Sequence, residues 1–241
     1  MRLTKIFSLP HSKNLFMARF KTFLFVFLAT FFFVTTYSQN LYNSISYTTF
    51  VGEDDSFISL GKNAFYQFKQ EVESQEFILV FNDSVAHFTT VDKMDNIMPF
   101  IEIYSFTNTQ TALKIKNQDK IILKLDRNQQ WVLTTETKLI SQFTCYKATS
   151  SYTIKRRDKI IQFPIIAWFC PELPYRFGPM GYGKLPGLIL ELQERNIIYG
   201  IKKIKLEGNL KKINLPSFNE YQEMTESEWE AIILKKMMDE N

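Results

Sequence analysis

Residues 146–169 are the stretch that most limits how this chain can fold. Two extended runs flank a polar cluster at Lys155–Lys159, which is typical of a hairpin turn. A register with Tyr146 opposite Phe169 also pairs Ala148 with Ala167 and Tyr152 with Phe163, all on one face. A shift by one residue would move these apolar residues to opposite faces, so burial should fix this register. The sequence therefore predicts a long antiparallel hairpin.

The rest of the chain continues this pattern of short extended runs separated by turn residues. We predict strands at 45–50, 77–81, 85–91, 121–125, 131–135, 139–153, 160–169, 188–192 and 199–206. The runs 77–81 with 85–91, 121–125 with 131–135, and 188–192 with 199–206 are predicted hairpins. Residues 62–73 fit a short helix, and 92–99 and 107–111 fit loops. We expect a mainly β fold: an antiparallel sheet or half-barrel with a C-terminal α-helix.

The C-terminal helix is predicted over residues 226–239. Thr225 and Glu228 have the spacing of a capping box, in which each side chain binds the other residue's backbone amide. Apolar residues then recur at helical spacing at positions 229, 232, 233 and 237. We expect this stripe to lie on the sheet. The alternative is a helix that binds a partner.

Residues 1–38 have the features of a secretory signal peptide. Arg19 and Lys21 precede an apolar stretch at 23–34, and small residues lead to a cut after Ser38. The stretch is shorter than the roughly 20 residues that a membrane span needs. We therefore expect export to the periplasm or beyond, one β-rich domain over 39–241, and no stable membrane span after cleavage.

Removal of the signal peptide changes the charge balance of the chain. The full sequence has 29 basic and 25 acidic residues, and the first 38 residues hold five of the bases and no acid. The remaining 24 bases against 25 acids give almost no net charge. Nothing in this balance favours nucleic acid as a partner.

The two cysteines face each other in the register predicted for the long hairpin. Cys145 lies opposite Cys170 on what the pattern indicates is the more polar face. Directly opposed residues of a non-hydrogen-bonded pair have Cα atoms about 4.5 Å apart, which a disulfide can span, although the tight geometry would make the bridge strained and easily reduced. One prediction is a disulfide, and the alternative is two free thiols packed as small apolar groups.

Residues 171–187, the connector, join two predicted strands and are rich in proline and glycine. Gly178–Lys184 matches the first seven positions of a phosphate loop, but Leu185 stands where that loop has Ser or Thr. Pro186-Gly187 suits a type II turn. A stiff segment with aromatic residues can cover a pocket, or it can be a lid on the protein's own core. The candidate ligand-binding residues are Tyr175, Phe177, Met180 and Tyr182.

The same region carries motifs that resemble the GLPGLI family, secreted proteins of Bacteroidota. The resemblance rests on 145–148, 168–174, Gly178-Pro179 and the structural motif Lys184, Leu185, Pro186, Gly187, Leu188 and Ile189. Lys184 replaces the first glycine of that motif, and Cys170 stands where the family has Thr. The resemblance implies export and a β-rich domain, and it implies no activity.

The sequence favours a binding protein over an enzyme. His87 is the one histidine after residue 38, and we find no metal-ligand cluster or nucleophile motif. We therefore expect no catalytic residue, no metal and no cofactor. Our hypothesis is an exported, non-catalytic binding or carrier domain for an apolar or peptide ligand. The alternative is an accessory protein of an outer-membrane complex, without its own ligand pocket.

Overall fold

Twelve strands form one open sheet in the part of the chain that the structure describes. The computed structural model describes residues 42–52, 62–91, 100–127, 129–156, 159–206, 208 and 213–239. The strands are β1 (Asn43–Val51), β2 (Glu76–Phe81), β3 (Val85–Thr90), β4 (Glu102–Phe106), β5 (Thr111–Lys116), β6 (Ile121–Leu125), β7 (Val132–Ile140), β8 (Phe143–Arg156), β9 (Lys159–Cys170), β10 (Leu188–Glu194), β11 (Ile197–Lys205) and β12 (Gln222–Thr225). The helices are α1 (Lys62–Glu73) and α2 (Glu226–Asp239), with short 3-10 helices at Pro179–Gly181 and Phe218–Glu220. The predicted signal peptide and the loop at 92–99 lie outside the described residues.

The mainly β fold with a C-terminal helix is confirmed. The strand order is β12-β6-β5-β4-β3-β2-β1-β11-β10-β9-β8-β7, and the sheet does not close. Neighbouring strands are antiparallel except for β12, which runs parallel to β6. The sheet is therefore mixed at one edge, a detail that the antiparallel expectation missed.

The long hairpin has the predicted register. Tyr146 pairs with Phe169, Ala148 with Ala167 and Tyr152 with Phe163, and the ladder continues to Arg156 and Lys159. Ala148 and Ala167 are fully buried, as the burial argument for this register requires. The predicted hairpins of β2 with β3 and of β10 with β11 are confirmed as well.

The hairpin predicted between 121–125 and 131–135 is wrong. β6 pairs with β5 and β12, whereas β7 pairs with β8 at the opposite edge of the sheet. Residues 126–131 therefore connect two distant strands of the sheet. The run 139–153 is also divided, because a turn at Ser141–Gln142 separates β7 from β8.

The linker 126–131 requires the sheet to curve. Ten inter-strand spacings separate β6 from β7 in the strand order, which is about 48 Å in a flat sheet. A six-residue linker joining two strand ends spans at most about 25 Å. The sheet must therefore curl until its two edge regions approach each other.

The main core lies on the inner face of this curled sheet. Phe77, Leu79 and Phe81 alternate along β2 and are all buried. The Phe77 ring stacks on Phe88 at 5.2 Å and meets Tyr199 edge-on at 5.6 Å. A smaller cluster of Tyr42, Tyr104, Ile115, Ile122 and Ile213 covers part of the outer face.

Helix α2 has the predicted capping box but contacts the core mainly at its start. Thr225 Oγ1 accepts a bond from the Glu228 amide at 3.2 Å, and Glu228 Oε2 accepts one from the Thr225 amide at 2.7 Å. Trp229 packs against the core, whereas Ile232, Leu234 and Met238 are 40%, 57% and 75% exposed. The predicted burial of the apolar stripe therefore holds only in part.

We predict that Gly187→Ala destabilises the protein and that Gly52→Ala does not. A Cβ at Gly187 would lie 2.2 Å from the Cys170 carbonyl oxygen, whereas a Cβ at Gly52 would lie 3.5 Å from its nearest neighbour. We expect urea denaturation to show a loss of about 2–4 kcal/mol for the first variant and a change within about 0.5 kcal/mol for the second. Equal stability of the two variants would contradict the close approach.

Candidate functional site

The connector folds across the concave side of the sheet and reaches its opposite wall. An antiparallel β-bridge between Phe177 and Gly183 joins the first and second halves of the connector. The Ile189 amide donates to the Phe177 carbonyl oxygen at 3.0 Å. Gly181 has φ +77, and a Cβ there would lie 2.9 Å from Ala112 Cβ on β5. Only glycine fits a left-handed turn this close to another strand. The connector thus fills the space between β9–β10 and β5.

The aromatic residues of the connector pack into the protein's own core. Phe177 and Tyr182 are only 4% and 2% exposed, and Tyr175 and Met180 also pack against the core cluster. The Tyr175 ring lies 4.8 Å from Phe81, and its hydroxyl accepts a bond from Asn43 Nδ2 at 3.1 Å. All four side chains therefore pack within or against the protein's own core. The four candidate ligand-binding residues do not surround an apolar cavity of ligand size.

Tyr182 connects the connector to the linker 126–131. Its hydroxyl donates to Glu194 Oε1 at 2.7 Å, and the Arg127 guanidinium lies 4.7 Å above its ring. Burial and the nearby Glu194 raise the pKa of Tyr182 above its usual value. Trp131 Nε1 donates to Gly183 O at 2.9 Å, which anchors the end of the linker.

The motif at 184–189 closes the connector onto β10. Leu185, Leu188 and Ile189 are buried. Gly187 does not have positive φ, so the predicted type II turn at Pro186-Gly187 is wrong. Glycine is needed there because the Cys170 carbonyl passes so close.

A small cleft with positively charged walls lies beside the connector. It has a volume of about 40 Å³, and three cationic residues, Arg127, Arg176 and Lys184, line it. Buried residues Ala112, Phe177 and Gly181 also line it, and the exposed Thr107 and Thr111 stand at its rim. The cleft, which we call the basic cleft, is much smaller than the roughly 300–1,000 Å³ of typical ligand pockets.

A larger groove lies where the two edge regions of the curled sheet approach each other. It has a volume of about 860 Å³ and is lined by Asp126, Gln129, Gln130, Val132, Thr149, Ser150, Ser151, Tyr152, Thr153, Gln162 and Pro164. Most of these side chains are neutral amides or hydroxyls, which donate and accept hydrogen bonds. We call it the seam groove.

One side of the seam groove is an unpaired strand edge. The pairing of β7 with β8 begins at Val132 and Thr149, whereas β8 continues to Arg156. In the described part of the chain, residues 151–156 therefore pair only with β9, and we call their free side the open β8 edge. Arg195 stacks on Phe163 at 4.1 Å and donates to the Tyr152 hydroxyl. These contacts hold the inner face of the β8–β9 hairpin in place.

Sequence reasoning did not find the seam groove. The open β8 edge exists because the long hairpin extends beyond β7 and β10, so its signal is the unequal length of neighbouring strands. That signal was hidden by the wrong pairing of 131–135 with 121–125. Once β7 is paired with β8, the sequence itself shows that β8 is the longer strand.

His87 takes part in a polar cluster on the outer face of the sheet. Its ring stacks on Tyr104 at 4.3 Å, and its Nε2 lies 3.6 Å from Glu102 Oε1. The His87 contact is the largest cause that lowers the pKa of Glu102, which also accepts bonds from Tyr104 and Asn117. These contacts attach the segment before β12 to the sheet, since the Tyr221 hydroxyl donates to Asn117 Oδ1 at 2.7 Å.

The two cysteines are both buried, which corrects their predicted position on a polar face. Both are free thiols in the structure and have no exposed surface. Leu173 and Leu185 of the connector are buried near them in the same cluster. Burial raises the pKa of Cys145 to about 12.

The described residues contain no group of three or more His, Cys, Asp or Glu side chains placed to hold a metal ion. Among the same residues, no helix is both long and apolar enough to span a bilayer.

Comparison with known proteins supports a family of unknown function over one segment. Residues 157–191 match the family Porph_ging, described as "Protein of unknown function". This segment contains most of the motifs that carry the resemblance to the GLPGLI family, but the match does not confirm that name. No curated protein matches the chain.

One solved structure has a similar fold. It is described as "Structure of PNGF-II in C2 space group" and has a TM-score of 0.50 at 17% sequence identity. The alignment covers 80% of this chain and 33% of the other, so this chain spans about a third of that protein's length. At this identity the likeness shows the fold alone.

We predict that neither thiol of the folded protein reacts with iodoacetamide at pH 8. Both are buried, and the raised pKa of Cys145 keeps it protonated at that pH. Mass spectrometry should show two alkylated cysteines only after unfolding in guanidinium. Rapid alkylation of the native protein would contradict the burial, and an intact mass two hydrogens lower would establish the disulfide instead.

Proposed function

We propose that this protein is an exported, non-catalytic binding domain that captures an extended peptide segment in the seam groove. The open β8 edge is the single observation that carries the proposal. An extended peptide gains affinity from main-chain hydrogen bonds when it adds a strand to a free sheet edge. On the open β8 edge such a peptide would lie in line with β7, beyond Val132.

The lining of the seam groove suits a peptide backbone. Gln129, Gln130 and Gln162 supply amides, and Ser151 and Thr153 supply hydroxyls. Such groups pair with peptide amides and carbonyls without a charged partner. The volume of about 860 Å³ is within the range of known ligand sites.

The packing of the core favours a peptide over an apolar ligand. The connector occupies the concave side of the sheet, where a carrier of apolar molecules would hold its cargo. The basic cleft beside it has only about 40 Å³. An apolar ligand would have to displace buried side chains such as Tyr182, whereas a peptide can enter the seam groove from solvent.

A second candidate function is the accessory role in an outer-membrane complex. Leu234 and Met238, two exposed apolar residues one turn apart on α2, favour it. A helix with such a face can dock on a partner protein.

The proposal includes export and membership of the GLPGLI family. The signal-peptide pattern of residues 1–38 supports export. The motifs at 168–174 and 184–189 support the family, together with the match of 157–191 to a family of unknown function.

We expect a fluorescein-labelled heptapeptide of alternating Thr and Val to bind the purified protein, as measured by fluorescence anisotropy. Two control peptides carry N-methyl groups on alternate amides, one on the odd-numbered residues and one on the even-numbered residues. The control peptide whose methylated amides face the open β8 edge should not bind. Main-chain pairing requires free amides, whereas side-chain contacts alone do not. Hydrogen exchange should slow at 151–153 when the unmodified peptide is bound and remain unchanged in β1.

Two matched variants localise this binding. Gln130→Trp should weaken it because the larger side chain fills the seam groove, whereas Gln222→Trp places the same side chain on β12. Equal binding by these variants would contradict the proposed site. Undiminished binding of both N-methylated peptides would argue against strand addition.

We also predict that the full chain, expressed in a Gram-negative host, is recovered outside the cytoplasm with Gln39 as its first residue. Phe27→Arg should abolish export, because a charge interrupts the apolar stretch of the signal peptide. N-terminal sequencing of the exported and retained fractions checks both. Retention of residues 1–38 on exported protein would exclude the predicted cut.

A further inference from the structure

A third groove lies at the end of β11 and differs from the other two sites in its lining. Its volume is about 550 Å³, within the roughly 300–1,000 Å³ of typical ligand sites. It is lined by Ile140, Ser141, Gln142, Phe143, Ile201, Lys202, Lys203, Ile204 and Leu206. We call it the β11 groove. None of these residues belongs to the connector or to the seam groove.

The β11 groove lies where β11 extends beyond its neighbour β10. The pairing of these two strands ends at Glu191 and Gly200, whereas β11 continues to Lys205. In the described part of the chain, residues 201–205 therefore pair with β1 alone. The turn at Ser141–Gln142 and the residues on either side of it form the opposite wall.

A register shift gives the β11 groove one apolar wall. Residues three apart in a regular strand point to opposite faces, but the pairing of β1 with β11 shifts between Ser46 and Tyr47. Ile201 is therefore opposite Tyr47, and Ile204 is opposite Ile45. Tyr47 and Ile45 have no exposed surface. Because directly opposed residues share a face, Ile201 and Ile204 both lie on the inner face of the sheet.

The opposite wall of the β11 groove is apolar as well. Ile140 and Phe143 flank the turn between β7 and β8, are partly buried and pack against the main core. Leu206, just beyond the end of β11, is 41% exposed. Five of the nine lining residues are thus apolar, and four of these five are aliphatic. Such walls suit a hydrocarbon chain, whereas the mainly polar seam groove does not.

Lysines supply all the charge of the β11 groove. Lys202 and Lys203 line it, and none of its described lining residues is a carboxylate. Lys202 forms an ion pair with Glu76 on β2. Lys203 is exposed, and within the described residues its ammonium group has no ion pair. A negatively charged group would therefore be attracted to this end of the sheet.

We propose that the β11 groove binds a fatty acid, with the acyl chain between the two apolar walls and the carboxylate near Lys203. Lysine suits this arrangement because its stem packs along apolar surface while its ammonium group stays in water. The inference is independent of the proposed peptide site. A lipid surface fits less well, because membrane-binding faces project their apolar side chains into the bilayer, whereas these side chains line a concavity.

Fluorescence titration of the purified protein with cis-parinaric acid, a fatty acid that fluoresces in apolar surroundings, tests this proposal. We expect saturable binding and displacement by laurate. Dodecanol has the same chain length without the charge and should displace the probe less well, and acetate, which lacks the chain, should not displace it. No saturable binding of cis-parinaric acid, or equal displacement by laurate and dodecanol, would overturn the proposal.

A matched pair of leucine variants localises the site. Leu206→Glu places a carboxylate in the β11 groove and should weaken laurate binding about tenfold or more, because it removes apolar contact and repels the ligand. Leu234→Glu places the same group on α2, where Leu234 is 57% exposed, and should leave the affinity unchanged. Unchanged affinity in Leu206→Glu, or an equal loss in Leu234→Glu, would overturn the proposed site.

Lysine variants test the role of the charge. Lys203→Gln should weaken laurate binding about two- to fivefold, the range expected for an ion pair exposed to solvent. Lys203→Arg should retain the affinity. Lys235→Gln removes an exposed charge from α2 and should also leave it unchanged. Equal affinities of all three variants would contradict a carboxylate near Lys203.

Two further measurements separate this site from other partners. The heptapeptide of alternating Thr and Val should not displace cis-parinaric acid, and displacement would contradict an independent site. Sedimentation of the protein with phosphatidylglycerol vesicles, without binding of free laurate, would overturn the proposal in favour of a membrane surface.

Discussion

The short linker between β6 and β7 determines the shape of this protein. Six residues join two strands that lie ten positions apart in a twelve-stranded order, so the sheet cannot lie flat. Curling buries the inner side chains of β1–β3 against those of β9–β11. Because the sheet is curled but not closed, its concave face would be open to water. Another segment of the chain must therefore cover the apolar side chains of that face.

The connector fills the interior of the curled sheet with its own side chains. Its aromatic side chains occupy the concave side, and its polar contacts to Arg127, Trp131 and Glu194 join it to the linker and to β10. In the described structure, the connector's own residues Phe177 and Tyr182 are buried in the core. The basic cleft and the seam groove lie at its margins, beside the connector and the linker.

The sequence predicted the elements whose signals are local. The long hairpin follows from paired apolar positions such as Ala148 and Ala167, and α2 follows from the capping box of Thr225 and Glu228. The pairing of β6 and β7 could not be predicted in this way. Asp126-Arg127-Asn128 has the composition of a hairpin turn, and no local rule distinguishes it from a linker to a distant strand.

The candidate site was predicted less well than the fold, for a related reason. The face of Cys145 and Cys170 was inferred from strand alternation, which does not show that both residues are buried in the folded chain. The sequence also does not decide the position of Tyr175 and Tyr182, because tyrosine occurs in ligand pockets and in protein cores. Burial of such residues depends on long-range packing, which a period-two pattern does not contain.

The edges of the sheet give a final reason to connect the open β8 edge with binding. Free edges invite unwanted pairing, and proteins protect them with charges, irregular pairing or short strands. β7 has a register shift between Leu133 and Thr137, and Lys138 forms an ion pair with Glu191 at 2.6 Å. β12 is only four residues long and leads directly into α2. Residues 151–153 of β8, Ser-Tyr-Thr, carry no charge, and they line the seam groove of about 860 Å³. The charges of Lys155 and Arg156 occur only at the end of the open β8 edge, so residues 151–153 are the part at which the proposed peptide would pair.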